Sequence, residues 1–464
     1  MEFNSFAFAF FLPTVFALYW ALARRVQLQN AWVVVASYIF YGWWDWRFLI
    51  LIAFTSGWSY FAGRMANVRG GVRWMWGWAW SSIVLNVGIL CCFKYFNFFV
   101  GSAVSLLQSL GFNAHYETLK IILPVGISFY TFQALGYTID VARGTILPTR
   151  NIVAFFAYIS FFPQLVAGPI ERATSLLPQF LKERRFDYPL AVEGCRQMLW
   201  GFFKKVLVAD SCAYAANYIL GNGNPSSMSV WAGMLCFTFQ IYGDFSGYSA
   251  IAIGCAKLFG FRLMRNFDLP YFSKSVGEFW RRWHISLMTW FKDYLYIPLG
   301  GNRCGKLKAV RNTFAVFAVS GLWHGANWTF VIWGLYHALC LLPKTIFGTK
   351  GKSGDGGAIA LFRTFLLVVI GWVFFRAPDL TTAWNWLCKM FMPTDFRVAG
   401  LGLYNTVQAF VMVGIMLVVE LVNRGRDIPR LPRNVFLRWG MYIGAVTAIC
   451  SLRQPGQVFI YFQF

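Results

Sequence analysis

The sequence predicts an all-α fold, a polytopic bundle of membrane-embedded helices, on two observations. Of the 464 residues 58% are hydrophobic and only 13% charged, with a mean hydropathy of +0.53. One water-soluble core of this length cannot bury that much apolar surface. Apolar runs also recur from end to end, over residues 6–23, 81–93, 152–162, 230–241, 314–342, 365–375 and 407–419. At one helix per ~20 apolar residues, and allowing half-length elements, roughly 10 to 13 embedded helices are expected.

Charge supports the same reading. The 41 Lys plus Arg outweigh 18 Asp plus Glu for a net charge of +23, which in a soluble chain would point to nucleic acid. Here the cations gather in short polar interruptions, at Arg24/Arg25, Lys182/Arg184/Arg185, Arg303/Lys306/Lys308/Arg311 and Arg424/Arg426/Arg430/Arg433. That is the pattern of cytoplasmic loops, so a lipid bilayer and no nucleic acid is expected as partner. Part of this basic surface also suits an anionic, phosphate-bearing donor. The ten Cys are scattered, with only Cys91 and Cys92 adjacent, so neither a disulfide framework nor a metal site is expected.

Residues 1–5 lack a positive stretch and the first apolar run ends at Arg24-Arg25, so that run is expected to stay as a helix with its amino terminus outside. No linker or repeat divides the chain, which predicts a single membrane domain over 1–464. The longest polar stretches, 344–357 and 423–434, are expected to be solvated loops.

Four His occur in the chain. His324 lies in Ser320-Gly-Leu-Trp-His-Gly-Ala-Asn327, inside a strongly apolar run. An ionisable side chain at membrane depth faces a cavity or a polar partner, which makes it a functional candidate; a plain structural hydrogen bond is the alternative. Gly321 and Gly325, four apart on a helix, allow a neighbouring backbone to approach. On that helix Asn327 follows at i+3 and can share a cavity with the imidazole. His337 is 13 residues on, about 20 Å along a straight helix, and is expected to be structural.

The segment Glu278-Phe-Trp-Arg-Arg-Trp-His-Ile-Ser-Leu-Met-Thr-Trp-Phe-Lys-Asp293 carries too much charge for a lipid-facing span. Four central ions would cost on the order of 10 kcal/mol. Wound as one helix, it gathers the Trp side chains and His284 on one arc and Arg282, Lys292 and Asp293 opposite. This describes either a donor-binding wall with Arg281 and Arg282 toward water or phosphate, or an amphipathic interfacial helix with a buried His.

In Gln240-Ile-Tyr-Gly-Asp-Phe-Ser-Gly-Tyr-Ser249, Asp244 sits beside a small-residue stripe of Gly243, Gly247, Ala250 and Gly254. The stripe suits tight helix packing, and structural anchoring by Asp244 is favoured over catalysis. Residues 124–133 and 162–170 carry Pro and Gly that suggest broken helices lining a tunnel, with Gln133 and Gln164 as polar lining.

Taken together, these segments resemble the membrane-bound O-acyltransferases, and within them the alginate O-acetylation, AlgI-like branch of bacterial proteins. The resemblance rests on Phe3-Asn-Ser5, Pro124-Val-Gly-Ile-Ser-Phe-Tyr-Thr-Phe-Gln133, Ala167-Gly-Pro169, Gly201-Phe-Phe-Lys-Lys205, Asp244-Phe-Ser-Gly-Tyr248, Glu278-Phe-Trp-Arg-Arg-Trp-His284, Tyr294-Leu-Tyr-Ile-Pro-Leu-Gly-Gly-Asn302 and Ser320-Gly-Leu-Trp-His-Gly325. It departs from the branch at Ala250, where an acidic residue often stands, and at Gly243, where a bulky aromatic does.

The resemblance implies a membrane O-acyltransferase fold with re-entrant and interfacial helices around a central tunnel. It makes His324 and His284 the catalytic pair, with Arg281, Arg282, Asp244, Asn327 and Trp323 as candidate substrate contacts. His324 would act as general base, or be transiently acylated itself; His284 would orient substrate or support developing charge. No bound cofactor is implied. Acetyl-CoA, or another acyl thioester, is the expected donor, and an extracytoplasmic polysaccharide the acceptor. A periplasmic SGNH or esterase-like acetyltransferase is the expected partner, and the bacterial inner membrane the location. D-alanyl transfer to teichoic acid, peptidoglycan O-acetylation and, from another class, a transporter of donor or precursor are the alternatives, the last disfavoured by the lack of an inverted repeat.

Overall fold

The computed structural model describes residues 1–67, 71–116, 118, 122–166, 168–221, 225–347, 357–392, 403–454 and 459–460. Among them the ordered elements are all helical, as the composition predicts. Most of the expected loop at 344–357 lies outside the described residues.

Contacts divide the chain into two compact units. The first, residues 1–192 with 255–263, begins with α1 (Phe6–Ala21), α2 (Val26–Gly42), α3 (Arg47–Ala66), α4 (Gly71–Leu90) and α5 (Phe96–Ser109). It continues with α6 (Ile127–Ala142), α7 (Ile152–Ser160), the single turn α8 (Phe162–Leu165) and α9 (Ala173–Leu181). The helix breaks expected from Pro and Gly are present. Gly126 enters α6 at φ 74, and a Cβ there would lie 2.6 Å from the Leu165 carbonyl oxygen, so only glycine fits. Gln164 is buried, and its Nε2 donates to the Tyr158 carbonyl at 2.9 Å. Arg184, expected in a solvated loop, is instead buried. Its guanidinium donates to Asn30 Oδ1 at 2.8 Å and Gln29 Oε1 at 3.3 Å and lies over the Phe261 ring. Two amide acceptors and an aromatic face offset part of the hydration this cation loses.

The second unit comprises residues 193–254 and 264–464. It holds α10 (Tyr188–Phe202) from residue 193 on, α11 (Asp210–Gly221), α12 (Ser227–Leu258) up to residue 254, α13 (Val276–Arg282), α14 (Ile285–Phe291), α15 (Lys306–His324), α16 (Trp328–Phe347), α17 (Ala358–Arg376), α18 (Leu380–Phe391), α19 (Leu403–Val422) and α20 (Val435–Ser451). α10 runs into α11 through a π-helical stretch, Phe203–Ala209.

Three described stretches are long and apolar enough to cross a bilayer, Gly71–Ser109, Ala358–Arg376 and Tyr404–Val422. Phe6–Ala21, Trp328–Pro343 and Val435–Ser451 are shorter apolar helices.

The small stripe on α12 works as the spacing predicts. A Cβ on Gly247 would lie 2.8 Å from the Gly201 carbonyl oxygen and 2.9 Å from the Lys205 nitrogen, and one on Gly254 would lie 2.5 Å from the Gly194 oxygen. Gly243 meets the Lys204 oxygen at 3.1 Å, so the bulky aromatic that often stands there would collide with this backbone. Gly247→Leu is therefore expected to lower stability by about 1–3 kcal/mol, read as an earlier thermal unfolding midpoint in detergent.

Candidate functional site

α15 ends at His324 because Gly325 turns to an extended backbone (φ −161, ψ 151). The chain reverses over 325–327, and α16 returns along α15. Two glycines let the backbones meet: a Cβ on Gly321 would collide with the Phe330 carbonyl, and one on Gly334 with the Phe317 carbonyl. The straight helix expected across this region is thus a hairpin. The His324 ring, buried near the turn, lies among Trp323 (4.9 Å between centroids), Trp333 (5.0 Å) and Phe375 of α17 (5.4 Å). His337 packs on Trp333 at 5.2 Å and on Trp280 at 5.0 Å.

The hairpin also corrects Asn327. It does not sit one turn beyond His324 on the same helix. Its amide donates to the Pro378 carbonyl at 2.9 Å, and its Oδ1 accepts the Thr329 N–H at 3.0 Å, so it closes the first turn of α16.

His284 does not lie on one helical arc either. The chain breaks between α13 and α14, and His284 takes a left-handed conformation (φ 45, ψ 53) that a residue with a Cβ rarely adopts. Tertiary hydrogen bonds account for the break: Asp268 N–H donates to the Arg282 carbonyl and Ile285 N–H to the Asn266 carbonyl, both at 2.9 Å. The imidazole is fully buried, with Phe245 of α12 edge-on at 4.6 Å and Trp323 at 5.8 Å. The Trp323 indole thus has both histidine rings within 6 Å of it, which no spacing in the sequence reveals. Arg281 is exposed, and Arg282 pairs with Glu278 one turn back at 2.7 Å. The proposed arginine wall is therefore half spent on an ion pair within its own helix.

A small polar cleft of about 60 Å³ opens beside this bend. Gln197, Lys204, Ser246, Ser249, Asn266 and Glu420 contribute its buried polar wall, with Arg265, Arg426 and Asp427 nearer the rim. Lys204 Nζ lies 3.9 Å from Glu420, whose carboxylate accepts the Tyr242 hydroxyl at 2.9 Å. Sequence reasoning missed Asn266, Lys204 and Glu420 as site residues. Only the paired lysines in an apolar run carried a visible signal. Among the described residues no group of His, Cys, Asp and Glu is arranged to hold a metal ion.

The sequence profile of MBOAT, the membrane-bound O-acyltransferase family, matches residues 74–349. The chain belongs to this family of membrane-bound O-acyltransferases. It is 42% identical to the probable alginate O-acetylase AlgI of Pseudomonas aeruginosa over 87% of this chain and 78% of that one. It is 34% identical to the peptidoglycan O-acetyltransferase of Helicobacter pylori, over 82% and 78% of the two chains. Similarity to the teichoic acid D-alanyltransferase of Bacillus subtilis is lower, 28% over 55% of this chain and 67% of that one. This O-acyltransferase is accordingly a membrane enzyme, and both His284 and His324 fall inside the matched region.

Within it, Asp244 anchors structure. Lys205 Nζ is 2.7 Å from Asp210 Oδ1 and 2.9 Å from Asp244 Oδ1, and Asp244 Oδ2 accepts the Ile460 N–H at 2.7 Å. The π-helical turn Phe203–Ala209 points Lys205 at both carboxylates, and all three side chains are buried. Lys205→Met would strand two buried carboxylates and is expected to cost about 3–5 kcal/mol. Folded yield should fall sharply, and the triple change Lys205→Met/Asp210→Asn/Asp244→Asn should recover much of it.

Proposed function

We propose that this protein is a bacterial inner-membrane, multi-pass O-acetyltransferase that takes acetyl from a cytoplasmic thioester, acetyl-CoA, and delivers it for O-acetylation of an extracytoplasmic polysaccharide such as alginate. A periplasmic SGNH or esterase-like acetyltransferase is the partner in this reading. The observation that carries it is the placement of His324 and His284 about one indole, in a family whose chemistry is acyl transfer. The 42% identity to the alginate O-acetylase over most of both chains favours alginate or a similar exopolymer. The 34% relative keeps peptidoglycan as the second acceptor.

The chemistry asks for a base in a water-poor site. His324 takes the proton of the acceptor hydroxyl as its oxygen attacks the thioester carbonyl. The new C–O bond forms, the C–S bond breaks, and the proton passes to the departing thiolate. Such proton transfer contributes about 10²- to 10⁴-fold in rate. The ring of Trp323, Trp333 and Phe375 around the imidazole excludes the water that would otherwise hydrolyse the thioester.

The decisive experiment supplies labelled acetyl-CoA to purified protein in liposomes, with His324→Ala and His284→Ala compared after a check that each is folded. Label should reach protein or acceptor with wild type and fall by about 10²- to 10⁴-fold with His324→Ala. Full activity in His324→Ala would remove that residue from the mechanism. Intact donor crossing the membrane without transfer would mark a transporter.

A further inference from the structure

Asn266 stands in no motif and takes no part in the reaction just described. It is 1% exposed and sits on the loop that pairs with the bend at His284. Its Oδ1 lies 3.1 Å from His284 Nδ1, and accepts the Ser286 N–H at 3.3 Å and the Ser286 hydroxyl at 2.9 Å. Its Nδ2 donates to Ser249 Oγ at 3.2 Å. These contacts fix which way the amide points. Flipped, its NH₂ would face the Ser286 N–H, donor against donor.

An amide oxygen only accepts, so the hydrogen between Asn266 and His284 belongs to the imidazole, on Nδ1. The alternative has Nδ1 accepting the Ser286 hydroxyl 3.5 Å away. It would set two lone pairs against each other at the 3.1 Å Nδ1–Oδ1 separation. Among the described residues the other ring nitrogen, Nε2, is buried without a hydrogen-bond partner. A doubly protonated ring would bury an N–H there with no acceptor. A neutral ring with its hydrogen on Nδ1 instead presents a lone pair at Nε2.

We propose that Asn266 is a positioning residue: it locks His284 in the Nδ1–H tautomer, so that His284 offers Nε2 to the substrate as a hydrogen-bond acceptor. For the substrate this rests on the function proposed above, and it separates the two roles open to His284. Support of a developing oxyanion takes a donor aimed at that oxygen. An Nε2 lone pair supplies none. What it can hold is a substrate O–H or N–H, the acceptor hydroxyl or an amide of the donor's arm. Asn266 is also one of the residues lining the polar cleft, with Ser249 and Ser246.

With only four His in the chain, the histidine-ring nitrogens can be resolved by ¹⁵N NMR of the labelled full-length protein in liposomes, with His284→Gln identifying the His284 signals. The wild type should show a protonated Nδ1 and an unprotonated Nε2. Asn266→Leu should move hydrogen to Nε2 and lower kcat/KM about 10- to 100-fold, with KM raised. Asn266→Asp, which still offers an oxygen acceptor, should keep the Nδ1–H signature. A wild-type ring with its hydrogen on Nε2 would overturn the proposal, as would an Asn266→Leu spectrum identical to wild type. If Asn266→Leu does not fold, the wild-type and Asn266→Asp spectra still decide. The spectrum is read without turnover, so a wild type that transfers no acetyl counts against the function above and leaves the tautomer to the ring signals.

Discussion

A helix that breaks in apolar surroundings leaves N–H and C=O groups with no water to take them, and each orphan costs on the order of 1–3 kcal/mol. Much of the second unit is organised around meeting that demand. Where α13 gives way to α14, the loop at 266–268 supplies both backbone and side-chain partners. Where α15 turns into α16, Asn327 closes the turn from its amide and its oxygen. The two histidines sit at these two breaks. The answer to a backbone problem thereby sets the position of the groups suited to chemistry, and a left-handed residue such as His284 persists because its neighbours over-determine it.

Aromatic rings join the two breaks. Trp280 of α13 touches Phe317 of α15, Trp333 and His337 of α16, all with centroids 5.0–5.6 Å apart. Trp372 of α17 reaches Trp283 and Trp333 in turn. Ring pairs of this kind are worth about 0.5–1.5 kcal/mol each beyond the area they bury. Large indoles hold few rotamers, so the layer is stiff. His337 packs edge-on against Trp280 and Trp333 in the same layer.

How much of this could be read beforehand depends on whether the signal is local. Hydropathy reports the solvent directly, so the all-helical membrane character was legible. The stripe of Gly243, Gly247, Ala250 and Gly254 was legible too, because close approach demands small residues at helical spacing. The bend at His284 was not: Trp-His-Ile has neither Pro nor Gly, and the helix yields there to hydrogen bonds from residues some eighteen positions earlier. Gly325 did carry a stop signal, yet the apolar run around it reads as one continuous helix. Asn266 was invisible for the same reason as the bend, since its role exists only through its partners. Arg184 shows the opposite error: a cation in a basic cluster reads as solvated until its two amide partners are seen.

The bond from the Ile460 amide to Asp244 spans 216 positions of the chain. Beside it Phe459 lies on Tyr248, ring centroids 4.0 Å apart. α12 leaves the ribosome long before either residue is made, so one oxygen of Asp244 must wait for its N–H donor through the synthesis of eight further helices. Maturation of this region is therefore a late event in biogenesis. A chain stalled or cleaved ahead of residue 459 would be left with a buried carboxylate only half capped.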